Sequence, residues 1–167
     1  VSISGTNNGQ AISTPNIGGW SRSGNINSTS ILFDSDGEYT ISITCKDKAD
    51  NDSNSIEQQK FIVDLTTPVI EISNVKDLSA NKENVAPIIE YSDTNIDFNT
   101  LELILKGSRT GVVELKGTNK DIANGRQYMF DPIEEDDNYV LSAKVLDKAG
   151  NEIKKEISFS VNKNGST

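Results

Sequence analysis

Apolar and polar residues alternate with a period of two along several short stretches of this chain. In the clearest stretch every second residue is apolar, namely Tyr39, Ile41, Ile43 and Cys45, and the residues between them are polar. Because successive side chains of a β-strand point to opposite faces, this pattern predicts a strand with one buried face. Similar stretches occur in both halves of the sequence, which therefore predicts a β protein.

One stretch of sequence occurs twice. Residues 37–51 align without gaps on residues 137–151, at a constant offset of 100. After a two-residue difference in loop length, residues 60–64 match residues 158–162. Internal repeats of this kind indicate a repeated structural unit, so the same pair of strands is predicted to end each half of the chain.

The two strands of each copy are predicted to form a hairpin. Their connection is Asp-Lys-Ala, then Asp or Gly, then Asn, which are residue types that favour tight turns. Asp47 and Asp147 are therefore interpreted as turn caps rather than catalytic groups. Tyr39 and Tyr139 are either corner tyrosines that bond a backbone group or simple core rings. Cys45 has an apolar counterpart in the second copy, which predicts an inert, buried thiol.

The second half of the chain predicts seven short strands, near residues 69–73, 85–91, 101–106, 112–116, 127–130 and in the final hairpin. Such strands, separated by frequent turn signals, are typical of an immunoglobulin-like sandwich. The first half predicts only five, near residues 1–4, 11–13, 28–33, 38–47 and 56–64. The predicted fold is all-β: tandem immunoglobulin-like β-sandwiches, the first incomplete at its N-terminus.

The predicted domains are residues 1–66 and residues 67–163, and residues 164–167 are predicted to start a connector. Pro68 lacks a backbone donor and favours an extended Thr67, so one domain can pass directly into the next.

Composition excludes several classes of function. The 167 residues carry 16 Lys and Arg against 25 Asp and Glu, a net charge of −9, which disfavours nucleic acid and anionic membranes as partners. No apolar run approaches the roughly 20 residues that span a bilayer. Histidine is absent, so neither a Ser-His-Asp triad nor a Cys-His dyad can form. With a single cysteine, no intrachain disulfide is possible. The chain is predicted to be non-catalytic and to use no cofactor.

Several of these segments carry a family resemblance. The sequence Asp-Gly-Glu-Tyr-Thr-Ile-Ser-Ile, the Asp-Lys-Ala turn and the following Phe-x-Val-Asp-x-Thr-x-Pro-x-Ile resemble the bacterial Ig-like repeats found in tandem in Gram-positive cell-surface proteins. The resemblance covers nearly all of residues 68–163 and part of residues 1–66. In this comparison Val1 lies in the third strand, so the first domain either lacks its two leading strands or is a shorter variant.

The resemblance implies an extracellular, surface-attached protein with neighbouring Ig-like repeats in the same chain. The implied function is a structural spacer that projects or links other domains. One alternative is an adhesion module that binds a host protein or glycan through Trp20 or through residues 107–126. Another is an accessory domain of a large surface enzyme. If the first domain lacks strands, its open edge predicts a strand-swapped dimer.

The sequence offers few candidates for binding sites. Asp93, Asn95 and Asp97 have the spacing of the first ligands of a calcium loop. The glycine and the final glutamate of such a loop are missing, so a solvated turn is the favoured interpretation. Trp20, in a Gly- and Ser-rich stretch, either stacks on a ligand or fills the core of its own domain, and the second is favoured. The acidic run 134–137 is predicted to be a solvated loop.

Overall fold

The chain is built from β-strands in two compact units. The computed structural model describes residues 1–53 and 56–165, and in this part of the chain the only helix is a short 3-10 turn. The units are Val1–Thr66 and Thr67–Thr167, here named unit 1 and unit 2. The all-β prediction is confirmed. Residues 166 and 167 of the predicted connector lie outside the described residues.

Unit 1 forms a four-stranded antiparallel sheet and a small hairpin. Its strands are β1 (Ser2–Asn7), β2 (Gln10–Ala11), β3 (Ser21–Ser23), β4 (Ile26–Ser28), β5 (Gly37–Ile43) and β6 (Ile56–Val63). The order in the sheet is β2-β1-β5-β6, and β3 pairs with β4. The chain therefore has β6 at one edge of its first sheet.

Unit 2 contains two larger sheets. Its strands are β7 (Val69–Ser73), β8 (Ser79–Asn81), β9 (Ile88–Ser92), β10 (Glu102–Gly107), β11 (Gly111–Val113), β12 (Gly117–Ile122), β13 (Gly125–Phe130), β14 (Asp137–Leu146) and β15 (Glu152–Val161). One sheet has the order β11-β10-β14-β15-β8 and the other the order β12-β13-β9-β7. All pairings are antiparallel except that of β8 with β15.

The core of unit 2 lies between its two sheets. Leu141, Ala143 and Val145 of β14 are fully buried and cluster with Ile89 and Tyr91 of β9. The inward-facing residues of β14 and β15 are the ones that the period-two pattern predicts. The Tyr91 hydroxyl also donates to the backbone carbonyl of Glu102 (3.3 Å), and so joins the two sheets.

The four-stranded sheet of unit 1 has the same strand order as four strands of unit 2. Gly5 of β1 pairs with Tyr39 just as Gly107 of β10 pairs with Tyr139. The order β2-β1-β5-β6 therefore corresponds to β11-β10-β14-β15. Among the described residues, unit 1 has no counterpart of β7, β8 or β9.

The core of unit 1 is correspondingly open. Tyr39 is buried, with edge-on contact to Phe33, and Phe33 also packs against Phe61. Ile41, in contrast, is only half-buried. Cys45 is exposed, so the prediction of a buried thiol was wrong. The reason is that β5 ends at Ile43, and no described strand of unit 1 replaces β9 to cover this position.

Some predicted strands differ from the observed ones. Residues 28–33 were predicted as a strand, but there the structure has only the end of β4 and an isolated bridge between Ile17 and Ile31. The hairpin of β3 with β4 was missed, as were β8 and β12. These strands contain few apolar residues, and β3, β4 and β12 are largely exposed whereas β8 is mostly half-buried. They therefore lack the apolar alternation that identifies a strand in the sequence.

Candidate functional site

The predicted calcium ligands lie in the loop that follows β9. The Asp93 carboxylate accepts a hydrogen bond from the backbone N–H of Asn95 (2.6 Å). The Asp97 carboxylate accepts from the backbone N–H of Asn99 (3.0 Å) and thereby caps the 3-10 helix Phe98–Thr100. These bonds are those of a turn that precedes a strand. Calcium binding by Asp93, Asn95 and Asp97 stays a prediction.

Backbone hydrogen bonds hold this loop against the end of β14. The Asp97 N–H donates to the carbonyl of Leu146 (3.0 Å), and the Lys148 N–H donates to the carbonyl of Asn95 (2.9 Å). As a result, one carboxylate oxygen of Asp93 lies within 4.8 Å of one of Asp147. Two carboxylates at this separation can share a divalent cation. No sequence pattern indicated that these two carboxylates lie close together, because they meet only through the hydrogen bonds between the loop after β9 and the end of β14.

The interpretation of Asp47 and Asp147 as turn caps is confirmed. Asp147 is buried and accepts hydrogen bonds from the backbone N–H (2.8 Å) and side-chain amide (2.7 Å) of Asn151. Asp47 makes the equivalent bonds to Asn51 (3.0 and 2.8 Å) and also accepts from the Ala49 N–H. The Asn51 side chain is the main cause that lowers the pKa of Asp47.

The last residue of the acidic run is buried, contrary to the prediction of a solvated loop. The Asp137 side chain faces the turn between β10 and β11, and it accepts hydrogen bonds from Ser108 Oγ (2.5 Å), Thr110 Oγ1 (3.0 Å) and the N–H groups of Arg109, Thr110 and Asn138. Burial raises the pKa of this carboxyl, but the hydrogen bonds, led by that of Ser108, outweigh it and hold the pKa well below its ordinary value.

Asp136, the preceding residue, holds the segment that follows the last strand. Its carboxylate accepts hydrogen bonds from the backbone N–H of Lys163 (3.0 Å) and from the backbone N–H (3.3 Å) and side-chain amide (3.0 Å) of Asn164. The Lys163 bond is the main cause that lowers the pKa of Asp136. Within the acidic run, Glu134 and Glu135 are exposed, whereas Asp136 and Asp137 accept hydrogen bonds from backbone N–H groups.

Unit 1 repeats this arrangement. The Asp36 carboxylate accepts a hydrogen bond from the backbone N–H of Leu65 (2.7 Å) and another from the hydroxyl of Thr66. Asp36 and Asp136 differ by the repeat offset of 100, and Leu65 and Lys163 each lie two residues beyond the end of a final strand. We name each aspartate with its two bonded residues an exit clamp.

Asp47, Asp136 and Asp137 all have lowered pKa values. A general acid needs a raised one, so these carboxylates are suited to accepting fixed hydrogen bonds and not to donating protons.

Trp20 lies at the surface of unit 1, just before β3. Its side chain is 60% exposed, so the interpretation that it fills the core was wrong. It follows Gly18 and Gly19 and precedes Ser21 and Arg22, and these small or polar residues provide no apolar strand against which the ring could be buried. Binding of a ligand by Trp20 remains a prediction.

A family model places this architecture among known proteins. The model of the bacterial Ig-like domain (group 3) matches residues 29–164, which is more than half of the chain. No curated protein matches the chain significantly. Among the described residues, no helix has the length and apolar character needed to cross a membrane. The chain belongs to the family of bacterial Ig-like domains (group 3).

Proposed function

We propose that this chain is a non-catalytic structural module of a bacterial cell-surface protein, which spaces or links neighbouring domains, including other Ig-like repeats of the same polypeptide. Membership of the family supports this proposal, because bacterial Ig-like domains typically occur in extracellular and surface proteins. The specific observation that carries it is the pair of exit clamps.

Each exit clamp fixes the chain where it leaves a unit. Asp36 bonds residues 65 and 66, and Asp136 bonds residues 163 and 164. A connector that starts from a hydrogen-bonded segment has fewer accessible conformations than a free Gly/Ser linker. The exit clamp occurs at the same repeat position in both units. A spacer requires such a restraint at every joint, because the length and stiffness of the spacer depend on all of its joints.

Backbone dynamics test this function. In the intact chain we expect the amides of Leu65 and Lys163 to have order parameters near those of a rigid backbone, about 0.85. In the variants Asp36→Ala and Asp136→Ala, the order parameter of the corresponding amide should fall below about 0.6. The measurement is 15N relaxation of the labelled full chain.

Two substitutions serve as controls for the clamps. Asp34→Ala and Glu135→Ala each remove an exposed carboxylate next to a clamp, and we expect neither to change the order parameter of Leu65 or Lys163. If Leu65 and Lys163 are already mobile in the intact chain, the rigid-spacer function is wrong.

The exposure of Trp20 favours a second function, adhesion to a host protein or glycan. A solvent-exposed indole is a typical anchor at binding surfaces. The test is a glycan and protein array probed with the full chain. A saturable signal that Trp20→Ala abolishes would support adhesion, provided that Leu32→Ala, which removes another exposed apolar side chain, leaves the signal unchanged. An array without a saturable signal would favour the spacer.

A further inference from the structure

The edge of β6 in unit 1 differs from the equivalent edge in unit 2. In unit 2 the strand β15 is flanked by β14 on one side and by β8 on the other. In unit 1, β6 is flanked by β5, and among the described residues no strand pairs with its other side. An unpaired strand edge presents a row of backbone donors and acceptors that a further strand can use.

Unit 2 shows how such an edge is filled. β8 runs parallel to β15, with Ser79 opposite Phe159, Ala80 opposite Ser160 and Asn81 opposite Val161. The backbone N–H of Leu78 donates to the carbonyl of Ser158 (2.6 Å).

Two side chains of the β8 segment add to this pairing. The Asp77 carboxylate accepts from the N–H of Ser158 (2.8 Å), and the Asn81 side-chain amide donates to the carbonyl of Ser160 (2.9 Å). The edge of β15 is therefore recognised by an extended segment with a carboxylate at one end and an amide at the other.

The internal repeat identifies the residues of β6 that are equivalent to the β15 residues paired with β8. Residues 60–64 match residues 158–162, so Lys60 and Ile62 stand where Ser158 and Ser160 meet β8. Their backbone groups are consequently directed to the open edge. Lys60 also replaces a neutral serine at the position that the Asp77 carboxylate contacts in unit 2. A carboxylate arriving here would accept the Lys60 N–H and lie beside a cationic side chain, which strengthens the hydrogen bond.

Apolar side chains of β6 are also more exposed than their counterparts in β15. Phe61 is 36% exposed, whereas its counterpart Phe159 is 3% exposed, and Ile62 is 63% exposed. Val63 is half-buried, whereas Val161 is buried. The edge of β6 therefore has unoccupied pairing positions, and the apolar side chains beside them are exposed to solvent.

We propose that the free edge of β6 binds an extended peptide segment of the type Asp-Leu-Ser-Ala-Asn, parallel to β6 and in the register that β8 adopts on β15. This places a Ser opposite Phe61, an Ala opposite Ile62 and an Asn opposite Val63. Main-chain hydrogen bonds supply the affinity, as in other cases of strand addition. The carboxylate and the amide at the two ends of the segment fix its direction and register.

The test supplies the full chain with a second copy of residues 75–83, fused ahead of Val1 through a flexible Gly/Ser linker of about 15 residues. Such a linker spans about 20 Å on average and presents the copy at millimolar effective concentration. We expect amide hydrogen exchange at Lys60 and Ile62 to slow by about tenfold or more relative to the unfused chain.

Two variants of the fused copy test the register. Leu78→Pro in the copy removes the N–H that meets the carbonyl of residue 60, and Asp77→Ala removes the carboxylate. The first should abolish the protection of Lys60 and Ile62, and the second should reduce it. The original β8 remains intact in both variants, so unit 2 serves as the internal reference.

Two results would overturn the proposal. Unchanged exchange at Lys60 and Ile62 in the fused chain would show that the edge does not accept this segment. Protection that is already present without the copy, and that rises with protein concentration, would show that a second copy of the chain occupies the edge instead. Neither result depends on the rigidity of the exit clamps.

Discussion

The phenolic hydroxyl of Tyr139 donates a hydrogen bond of 2.9 Å to the backbone carbonyl of Glu135, four residues upstream. Tyr39 makes the same bond to Ser35, also at 2.9 Å. Both tyrosines are therefore corner tyrosines. Each hydroxyl bonds the segment that precedes its own strand, which is β14 for Tyr139 and β5 for Tyr39. Each ring is also buried, so the bond lies partly shielded from water.

Removal of this hydroxyl is expected to weaken unit 2. Tyr139→Phe keeps the ring and leaves the Glu135 carbonyl without its donor, which should lower the free energy of unfolding by about 1 kcal/mol. Urea unfolding of the full chain, followed by amide signals of β14, measures this change. Tyr39→Phe is the matched variant and should affect only signals of β5. An unchanged midpoint for β14 in Tyr139→Phe would contradict a stabilising role of the bond.

The buried Asp137 makes the stability of unit 2 dependent on acid. Because the folded state lowers the pKa of this carboxyl, its contribution is complete above the unfolded pKa of about 3.9 and is lost as the pH falls from there towards the folded value. We expect Asp137→Asn to lower the free energy of unfolding at pH 7 by about 2–4 kcal/mol.

The pH profile separates this carboxylate from the other acids of unit 2. Between pH 5 and pH 2.5 the unfolding midpoint of the unchanged chain should fall more steeply than that of Asp137→Asn, because the variant no longer has this group to protonate. Glu134→Gln, which removes an exposed carboxylate of the same run, should keep the steeper profile. Parallel profiles for Asp137→Asn and the unchanged chain would contradict the assignment.

The side chain of Asp137 leaves no space for a side chain at residue 107, which is a glycine. A Cβ atom at this position would overlap Asp137 Oδ2 and Thr110 Oγ1. We expect Gly107→Ala to destabilise unit 2 by about 1–3 kcal/mol, as overpacked sites do. Calorimetry of the full chain measures the effect, and Val112→Ala on the adjoining strand β11 is the control because Val112 is exposed. Equal melting curves for Gly107→Ala and Val112→Ala would mean that the turn adapts freely.

The regular strands were predictable because burial imposes a periodic pattern on them. The predicted strand 69–73 coincides with β7, and the alternation in β14 gives the buried positions of the core. The final hairpin was also identified by its repeat, since the two copies share the turn residues that Asp47 and Asp147 cap. Local patterns of this kind need no knowledge of distant residues.

The roles of the polar residues were less predictable because they depend on contacts between distant segments. Asp137 has the same charge as its exposed neighbours Glu134 and Glu135, and only the pairing of β10 with β14 brings it against the turn at residues 108–110. Asp147 likewise meets Asp93 only because the loop after β9 bonds the end of β14. For Trp20 the sequence favours burial in the core of unit 1, but in the structure the side chain is largely exposed.

Phe61 and Phe159 provide a direct comparison of the two cores. They occupy the same repeat position and stack on Tyr39 and Tyr139 respectively, with centroid distances of 6.0 and 5.5 Å. Because Phe159 is buried against residues of the second sheet and Phe61 is not, we expect Phe159→Ala to cost about 3–5 kcal/mol. Phe61→Ala should cost less, since Phe61 is already 36% exposed in the folded chain.

Residue-resolved denaturant unfolding of the full chain distinguishes these two variants. Phe159→Ala should shift the midpoint of amide signals in β14 and β15, and Phe61→Ala should produce the smaller shift in β5 and β6. Val112→Ala, which trims an exposed side chain on β11, is the control for nonspecific effects. Equal losses for Phe61→Ala and Phe159→Ala would mean that the open sheet of unit 1 is covered in solution, and hydrogen exchange at Lys60 and Ile62 would then show whether that cover lies on the edge of β6.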